Sequence, residues 1–167
     1  GVETKIVTAV DVSGWAANDS PYFVPLLERT AKYFTLKEVS ADKAYLSHTN
    51  LKAVAKHNAM PYIPFKINTA VPTDNSLWAE MYHYFMHNRE EFLTHYHKRS
   101  NVETAFSMIK GKFGDSVRSK SDIGQLNEVL CKVLCHNLCV IIQAIHESDI
   151  DPTFCAERLV AQKTVEK

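Results

Sequence analysis

Four residues within one short stretch have the types and spacing to do chemistry together: Tyr96, Arg99, Glu103 and Lys110. Wound as a helix at about 100° per residue, they fall at roughly 0°, 300°, 340° and 320°, a polar stripe within an arc of about 60°. Val102, Ala105, Phe106, Ile109 and Phe113 fall at roughly 180° to 280°, a flanking apolar face that can be buried. The border of that face then presents one carboxylate among two cations and a phenol. Such a set suits a site where an acid holds a metal and the cations hold phosphates. The same stripe also reads as a solvated helix edge, with Arg99 and Glu103 an i,i+4 pair worth about 0.3 kcal/mol, base first.

A second carboxylate stands at a telling place. Residues 36–41, Leu-Lys-Glu-Val-Ser-Ala, read as a short strand ending on Asp42. The carboxyl end of a strand in an α/β layout is where such folds place their ligands. An Asp there also commonly caps the turn into the next helix.

The remaining elements must position these groups. Residues 1–12 read as a β-branched strand, followed by a turn at Gly14. Asn18-Asp19-Ser20-Pro21 is a helix start, with Asp19 or Ser20 as N-cap, and the helix runs to about residue 33 with Phe23, Leu26, Leu27 and Ala31 inward. A helix over 47–58 buries Leu51, Val54 and Ala55. Residues 60–65 read as a further strand, whose two prolines suit a sheet edge. A polar loop (66–76) leads to an aromatic helix over 77–88, where Trp78, Met81, Tyr82, Tyr84 and Phe85 read as core. Residues 89–95 read as a short connector to the helix 96–110. Residues 111–120 form a Gly-punctuated loop carrying Lys112, Arg118 and Lys120, suited to phosphate-backbone contacts or to a plain solvated link. Residues 122–146 read as a long helix, apolar over much of its circumference, which requires burial in the protein or against a partner. The tail 148–167 is polar.

Composition sets limits. The 167 residues suffice for one domain with a real core, and 46% hydrophobic with 23% charged residues is ordinary for a globular chain. Net charge is zero, so any DNA contact must come from a local patch. No apolar run reaches about 18 residues, so no transmembrane segment and no membrane partner are expected, and residues 1–15 lack a signal-peptide pattern. Cys131, Cys135, Cys139 and Cys155 read as reduced thiols of a cytoplasmic protein. The first three recur along one helix over about 12 Å, a spacing explained better by buried cysteines packing as small apolar residues than by a structural zinc site.

The spacing Tyr96-x2-Arg99-x3-Glu103-x6-Lys110 resembles the signature of one large group of bacterial insertion-sequence transposases, DDE enzymes with a ribonuclease H-like catalytic domain. Ala41-Asp42-Lys43-Ala44-Tyr45 is similar to their second-aspartate motif, with Ala44 where glycine is usual, a difference that matters if the backbone there needs φ > 0. Tyr62-Ile63-Pro64-Phe65-Lys66 resembles the strand that follows it. The resemblance spans residues 1–144. About sixty residues separate Asp42 from Glu103, too few for the large β-rich insertion of some relatives.

The resemblance implies hydrolysis and strand transfer at DNA phosphodiesters, with three carboxylates holding two Mg²⁺ ions, replaceable by Mn²⁺. Asp42 and Glu103 would be two of the catalytic metal ligands. Tyr96, Arg99 and Lys110, with Lys43, Lys112, Arg118 and Lys120, would contact DNA. It also places the family's first aspartate upstream of residue 1, and neither Asp11 nor Asp19 lies where that residue belongs. The expectation is therefore a partial ribonuclease H-like α/β fold: a short mixed sheet with flanking helices, its first two strands absent, and a long carboxy-terminal helix. Residues 1–147 would be the catalytic-domain part and 148–167 a tail. Such a fragment would be of low stability, would pair residues 5–12 in an altered way, or would take its missing strands from a partner chain. The implied partners are DNA at transposon ends, that completing chain, and a second copy of this one. The alternative function is a non-catalytic DNA-binding or protein-interaction remnant of a transposase.

Overall fold

The computed structural model of the protein describes residues 4–12 and 20–148. After a 3₁₀ turn at Ser20–Tyr22, the first helix, α1, runs over Phe23–Ala31. A strand β1 (Glu38–Ser40), a 3₁₀ turn (Lys43–Tyr45) and helix α2 (His48–Lys56) lead into strand β2 (Met60–Tyr62). Helices α3 (Leu77–His87) and α4 (Arg89–Tyr96) follow, then a 3₁₀ turn (His97–Arg99), α5 (Ser100–Phe113) and the 26-residue α6 (Asp122–Glu147).

The strands β1 and β2 pair in parallel, Glu38 opposite Met60 and Ser40 opposite Tyr62. Among the described residues the sheet is thus two parallel strands, not the expected mixed sheet. Pro61 lies opposite Val39. Lacking an N–H, it costs no ladder bond here, because Met60 N donates to Lys37 O (3.0 Å) and Ala41 N to Tyr62 O (3.3 Å) on either side of it.

The core lies where α3 and α4 cover β2. Tyr62, Ile63, Phe65, Met81, Tyr82, Phe85, Phe92 and Leu51 form one buried cluster. The aromatic residues of α3 are core, as their spacing predicts, with Trp78 and Tyr84 at the margin. Rings meet edge to face: Phe92 lies 5.3 Å from Tyr62 and 5.0 Å from Phe85 between centroids. Leu27 of α1, Val54 of α2 and Ala59 make a second, smaller cluster.

Several expectations are corrected. Residues 5–12 form no strand. With no strand beside them among the described residues, residues 5–7 instead lie against α6, where the Asn137 carboxamide accepts from Val7 N and donates to Val7 O, both at 2.9 Å, while residues 8–11 meet α1 through Thr30 and Arg29. Ser20 opens a 3₁₀ turn instead of capping α1, which has no side-chain cap. Asp19 lies outside the described residues. Residues 89–95, read as a connector, are helical because Asn88 closes α3 and Phe92 inserts fully into the core one turn later. The loop 111–120 starts later, since α5 continues to Phe113 and stops at Gly114, whose φ of 82° favours glycine.

The largest departure concerns α6. Its His136 and Val140 are buried, but Ile123, Leu126, Leu130, Leu134, Leu138, Ile141 and Ile142 are exposed, as are Val102 and Phe106 of α5. Cys131 and Cys135 are exposed and Cys139 half-buried, so the cysteines do not serve as buried apolar packing. By length and composition α6 is also apolar enough to cross a membrane, against the expectation that no stretch of the chain reaches that length, because its few charged residues are spread thinly through 26 helical positions.

Candidate functional site

Asp42 is delivered to the surface by the carboxyl end of β1. Its backbone is extended (φ −63°, ψ 153°), and its carbonyl accepts from Tyr45 N at 2.9 Å to form the 3₁₀ turn. The buried Asn50 of α2 pins that turn by donating to Tyr45 O at 2.7 Å. Non-glycine residues with positive φ occur, among those described, only at Lys5 and Asn58. The turn therefore accepts Ala44 without strain. The Asp42 side chain makes no capping hydrogen bond, so its carboxylate is committed elsewhere.

It turns towards the helical stretch from α4 to α5. That stretch is not one uninterrupted α-helix: Tyr96 ends α4, Arg99 closes the 3₁₀ turn, and Glu103 sits in the first turn of α5. Tyr96, His97, Arg99 and Ser100 keep right-handed helical dihedrals through the junction, so the side chains still share a face. Tyr96 Oη donates to Asp42 Oδ1 at 3.2 Å, and Arg99 Nε donates to Tyr96 Oη at 3.0 Å. The Arg99 guanidinium reaches both carboxylates, with Nε 3.1 Å from Asp42 Oδ1, Nη1 3.3 Å from Asp42 Oδ2, and Nη1 2.9 Å from Glu103 Oε1. Its carbon lies 5.4 Å from the centre of the Tyr96 ring. The hydrogen bond with Tyr96 and the neighbouring carboxylates outweigh partial burial and hold Arg99 still more firmly in its charged form.

Asp42, Tyr96, Arg99 and Glu103 are thus brought together, although Asp42 is more than fifty residues from the other three. Lys110 lies two turns beyond Glu103 on the same face of α5, exposed. Lys43, Lys112, Arg118 and Lys120 are also exposed. Lys43 directly follows Asp42, whereas the others lie at the far end of α5 and in the loop after it. That loop is ordered by α6: Glu128 accepts from the backbone N–H groups of Arg118 and Ser119 (3.0 Å each to Oε2) and from Ser119 Oγ, while Lys132 donates to Ser116 O at 2.7 Å. The backbone donors of Ser119 and Arg118 hold the Glu128 carboxyl at about 2.

Sequence reasoning missed a second polar cluster that ties β1 to the same helical stretch. Glu38 of β1 receives Lys98 Nζ at 2.5 Å and pairs with His95 Nδ1 at 2.6 Å, while Ser40 Oγ donates to His95 O at 2.9 Å. Tyr62 stacks on the His95 ring at 4.5 Å. Burial raises the Glu38 carboxyl, but the hydrogen bonds from Lys98 and His95 prevail and leave it below the usual carboxylate range. The available signal was a charged residue within a short strand, facing a His and a Lys from the His95-Tyr96-His97-Lys98 run.

Two carboxylates that converge on one cation are chemically fit to act as hard oxygen ligands of a divalent metal. Among the described residues no third His, Cys, Asp or Glu joins them. Asp11, set aside on sequence grounds, is paired with Arg29 of α1 at 3.2 Å.

No match is found among curated proteins or solved structures. The family model of the transposase DDE domain matches residues 1–138, a span that includes Asp42, the Tyr96–Glu103 cluster and most of α6. DDE transposase domains act on DNA and generally use divalent metal ions. On that match, and with an acidic pair set among cations, the chain belongs to the transposase DDE domain family.

Proposed function

We propose that Asp42 and Glu103 form two-thirds of a metal-binding carboxylate triad, in a ribonuclease H-like domain of the insertion-sequence type that cuts and joins transposon DNA ends. The observation that carries this reading is the convergence of both carboxylates on the single Arg99 guanidinium. The parallel β1–α2–β2 unit, with Asp42 at the carboxyl end of β1, supports the fold assignment.

Divalent metal, when bound, would supply Lewis-acid activation of the attacking water or 3′-hydroxyl and stabilise the leaving oxygen, with Mg²⁺ the natural choice for oxygen ligands. The chain's own residues do the rest. Asp42 and Glu103 provide negative ligands on rigid supports, a strand end and a helix turn. Tyr96 orients Asp42 through its hydroxyl. Arg99, Lys110 and Lys43 supply phosphate contacts around the pair, and the loop bearing Arg118 and Lys120 extends the basic track. Lys-to-phosphate contacts give sequence-independent, salt-sensitive affinity. The third carboxylate comes from outside the described residues.

A Mn²⁺-dependent nicking assay on supercoiled DNA tests this, using the chain and its Asp42→Asn and Glu103→Gln variants. With the third carboxylate supplied, by a completing chain or from outside the described residues, the expected result is nicking that both substitutions abolish while DNA binding persists; the chain without it should not nick. Nicking unchanged in the variants would overturn the assignment. A second reading is favoured by the missing third ligand among the described residues: a DNA-binding remnant without catalysis. DNA binding with no nicking by any of the three proteins, even with the third carboxylate supplied, would support that reading instead.

A further inference from the structure

The carboxylates assigned to metal are not idle. One nitrogen, Arg99 Nη1, lies 3.3 Å from Asp42 Oδ2 and 2.9 Å from Glu103 Oε1, and Nε lies 3.1 Å from Asp42 Oδ1. The guanidinium therefore stands where the two acids point, which is also where a shared cation would have to stand. Two carboxylates facing one place repel each other. A charged group between them cancels that repulsion, and a fixed guanidinium does so with directed hydrogen bonds. The pairs are incompletely buried, with side chains about one-third exposed for Arg99, half for Asp42 and two-thirds for Glu103. Each contact is correspondingly weak enough to be exchanged.

We infer that Arg99 is a built-in stand-in for the metal: it holds Asp42 and Glu103 together in the metal-free chain, is displaced by a divalent cation, and is thereby released to a DNA phosphate. This rests on the proposed role of Asp42 and Glu103 as metal ligands. Arg99 has somewhere to remain once displaced, because its Nε bond to Tyr96 Oη (3.0 Å) and its place over the Tyr96 ring do not depend on either carboxylate. The consequence is coupling. A phosphate that engages Arg99 withdraws the competing cation and raises metal affinity, and by linkage metal raises DNA affinity by the same factor. The site would then load metal and DNA together, and the acidic pair would not stay exposed as uncompensated charge in the absence of either.

The test is a Mn²⁺ titration, read as the electron paramagnetic resonance signal of free Mn²⁺. It uses the full chain, Arg99→Gln, Arg99→Lys and Asp42→Asn, each with and without a short DNA duplex. Without DNA, Arg99→Gln should bind Mn²⁺ about three- to tenfold more tightly than the unaltered chain, the range given by losing two partly exposed ion pairs. Arg99→Lys, which keeps the charge but not the fork, should fall between them. Duplex should tighten Mn²⁺ binding to the unaltered chain and leave Arg99→Gln unchanged. In EDTA, Arg99→Gln should melt below the unaltered chain, and Mn²⁺ should close the gap. Should Arg99→Gln fail to fold, Arg99→Lys carries the comparison alone. Binding to Arg99→Gln that is equal or weaker, with Asp42-dependent Mn²⁺ binding intact in the unaltered chain, would overturn the stand-in and leave the metal assignment standing. Binding that survives Asp42→Asn unchanged would overturn both.

Discussion

Replacing Glu38 with Gln should loosen the joint between β1 and the helical stretch that carries Tyr96, Arg99 and Glu103. Glu38 is about one-quarter exposed and makes two charge-assisted contacts, 2.5 Å to Lys98 Nζ and 2.6 Å to His95 Nδ1. Hydrogen bonds to charged groups contribute about 1.5–3 kcal/mol each when fully buried. Partial exposure and the residual hydrogen-bonding capacity of Gln reduce the expected loss to about 2 kcal/mol in all. For a chain of this size that corresponds to a fall in Tm of about 4–8 °C. The pH dependence gives the reasoning a second check. The folded-state carboxyl is lowered from the ordinary value of 4.5, so its contribution is complete above that value and is lost as pH falls through the lower, folded-state value. Melting followed by circular dichroism from pH 7.5 to pH 3 should therefore show the full gap between the two proteins near neutrality and a closing gap in acid. A variant that melts within about 1 °C of the parent at pH 7.5, or a gap that stays constant down to the acid limit, would refute the assignment of stability to this cluster.

Three further outcomes follow from the packing. Phe92→Ala removes a fully buried ring that contacts Tyr62, Tyr84 and Phe85 edge-on, and urea unfolding should show a loss of about 3–5 kcal/mol. Glu128→Ala withdraws the acceptor that orders residues 118 and 119. Limited trypsin digestion should then cut after Arg118 much faster. Because the backbone donors hold that carboxyl at about 2, the amide hydrogen-exchange protection of residues 118 and 119 in the parent should stay constant from neutrality through pH 4.5 and weaken only as pH falls towards 2. Leu134→Gln and Leu138→Gln change exposed positions of α6. Each should move stability by no more than about 0.5 kcal/mol while reducing binding of a hydrophobic dye such as ANS.

What could be read from the sequence divides along physical lines. Helices α2, α3, α5 and α6 were legible because each carries a sustained 3.6-residue apolar period; the structure adds serine N-caps at α2, α3 and α6 (Ser47, Ser76, Ser121), each accepting from the backbone three residues on. Helix α4 was not: its eight residues hold one buried side chain, Phe92, so there is no stripe to see. The strand at residues 5–12 was over-read because β-branched composition reports the preference of a chain for extended backbone, and a strand further requires a neighbour. The approach of Asp42 to Glu103 was legible only by setting motif spacing beside a family resemblance, since nothing local connects residues about sixty apart. That Arg99 bridges the two could be half-seen in its i,i+4 relation to Glu103; the contact to Asp42 needed the fold.

The contacts at Val7 follow from a fact about backbone polarity. An extended segment must place its N–H and C=O groups somewhere, and water or a ladder partner is the usual answer. At Val7 both groups go to one side chain, Asn137, whose amide offers both a donor and an acceptor. His136, buried beside it, takes Lys5 O at 3.0 Å. One turn of α6 thus does for residues 5–7 what β1 does for β2. A helix can satisfy an extended chain in this way at only one or two positions, because its side chains on one face recur every three to four residues and those of a strand every two. The face that carries His136 and Asn137 is therefore occupied, and Leu130, Leu134 and Leu138 are left towards solvent. The leucine-bearing face on the other side of α6 has no such neighbour among the described residues.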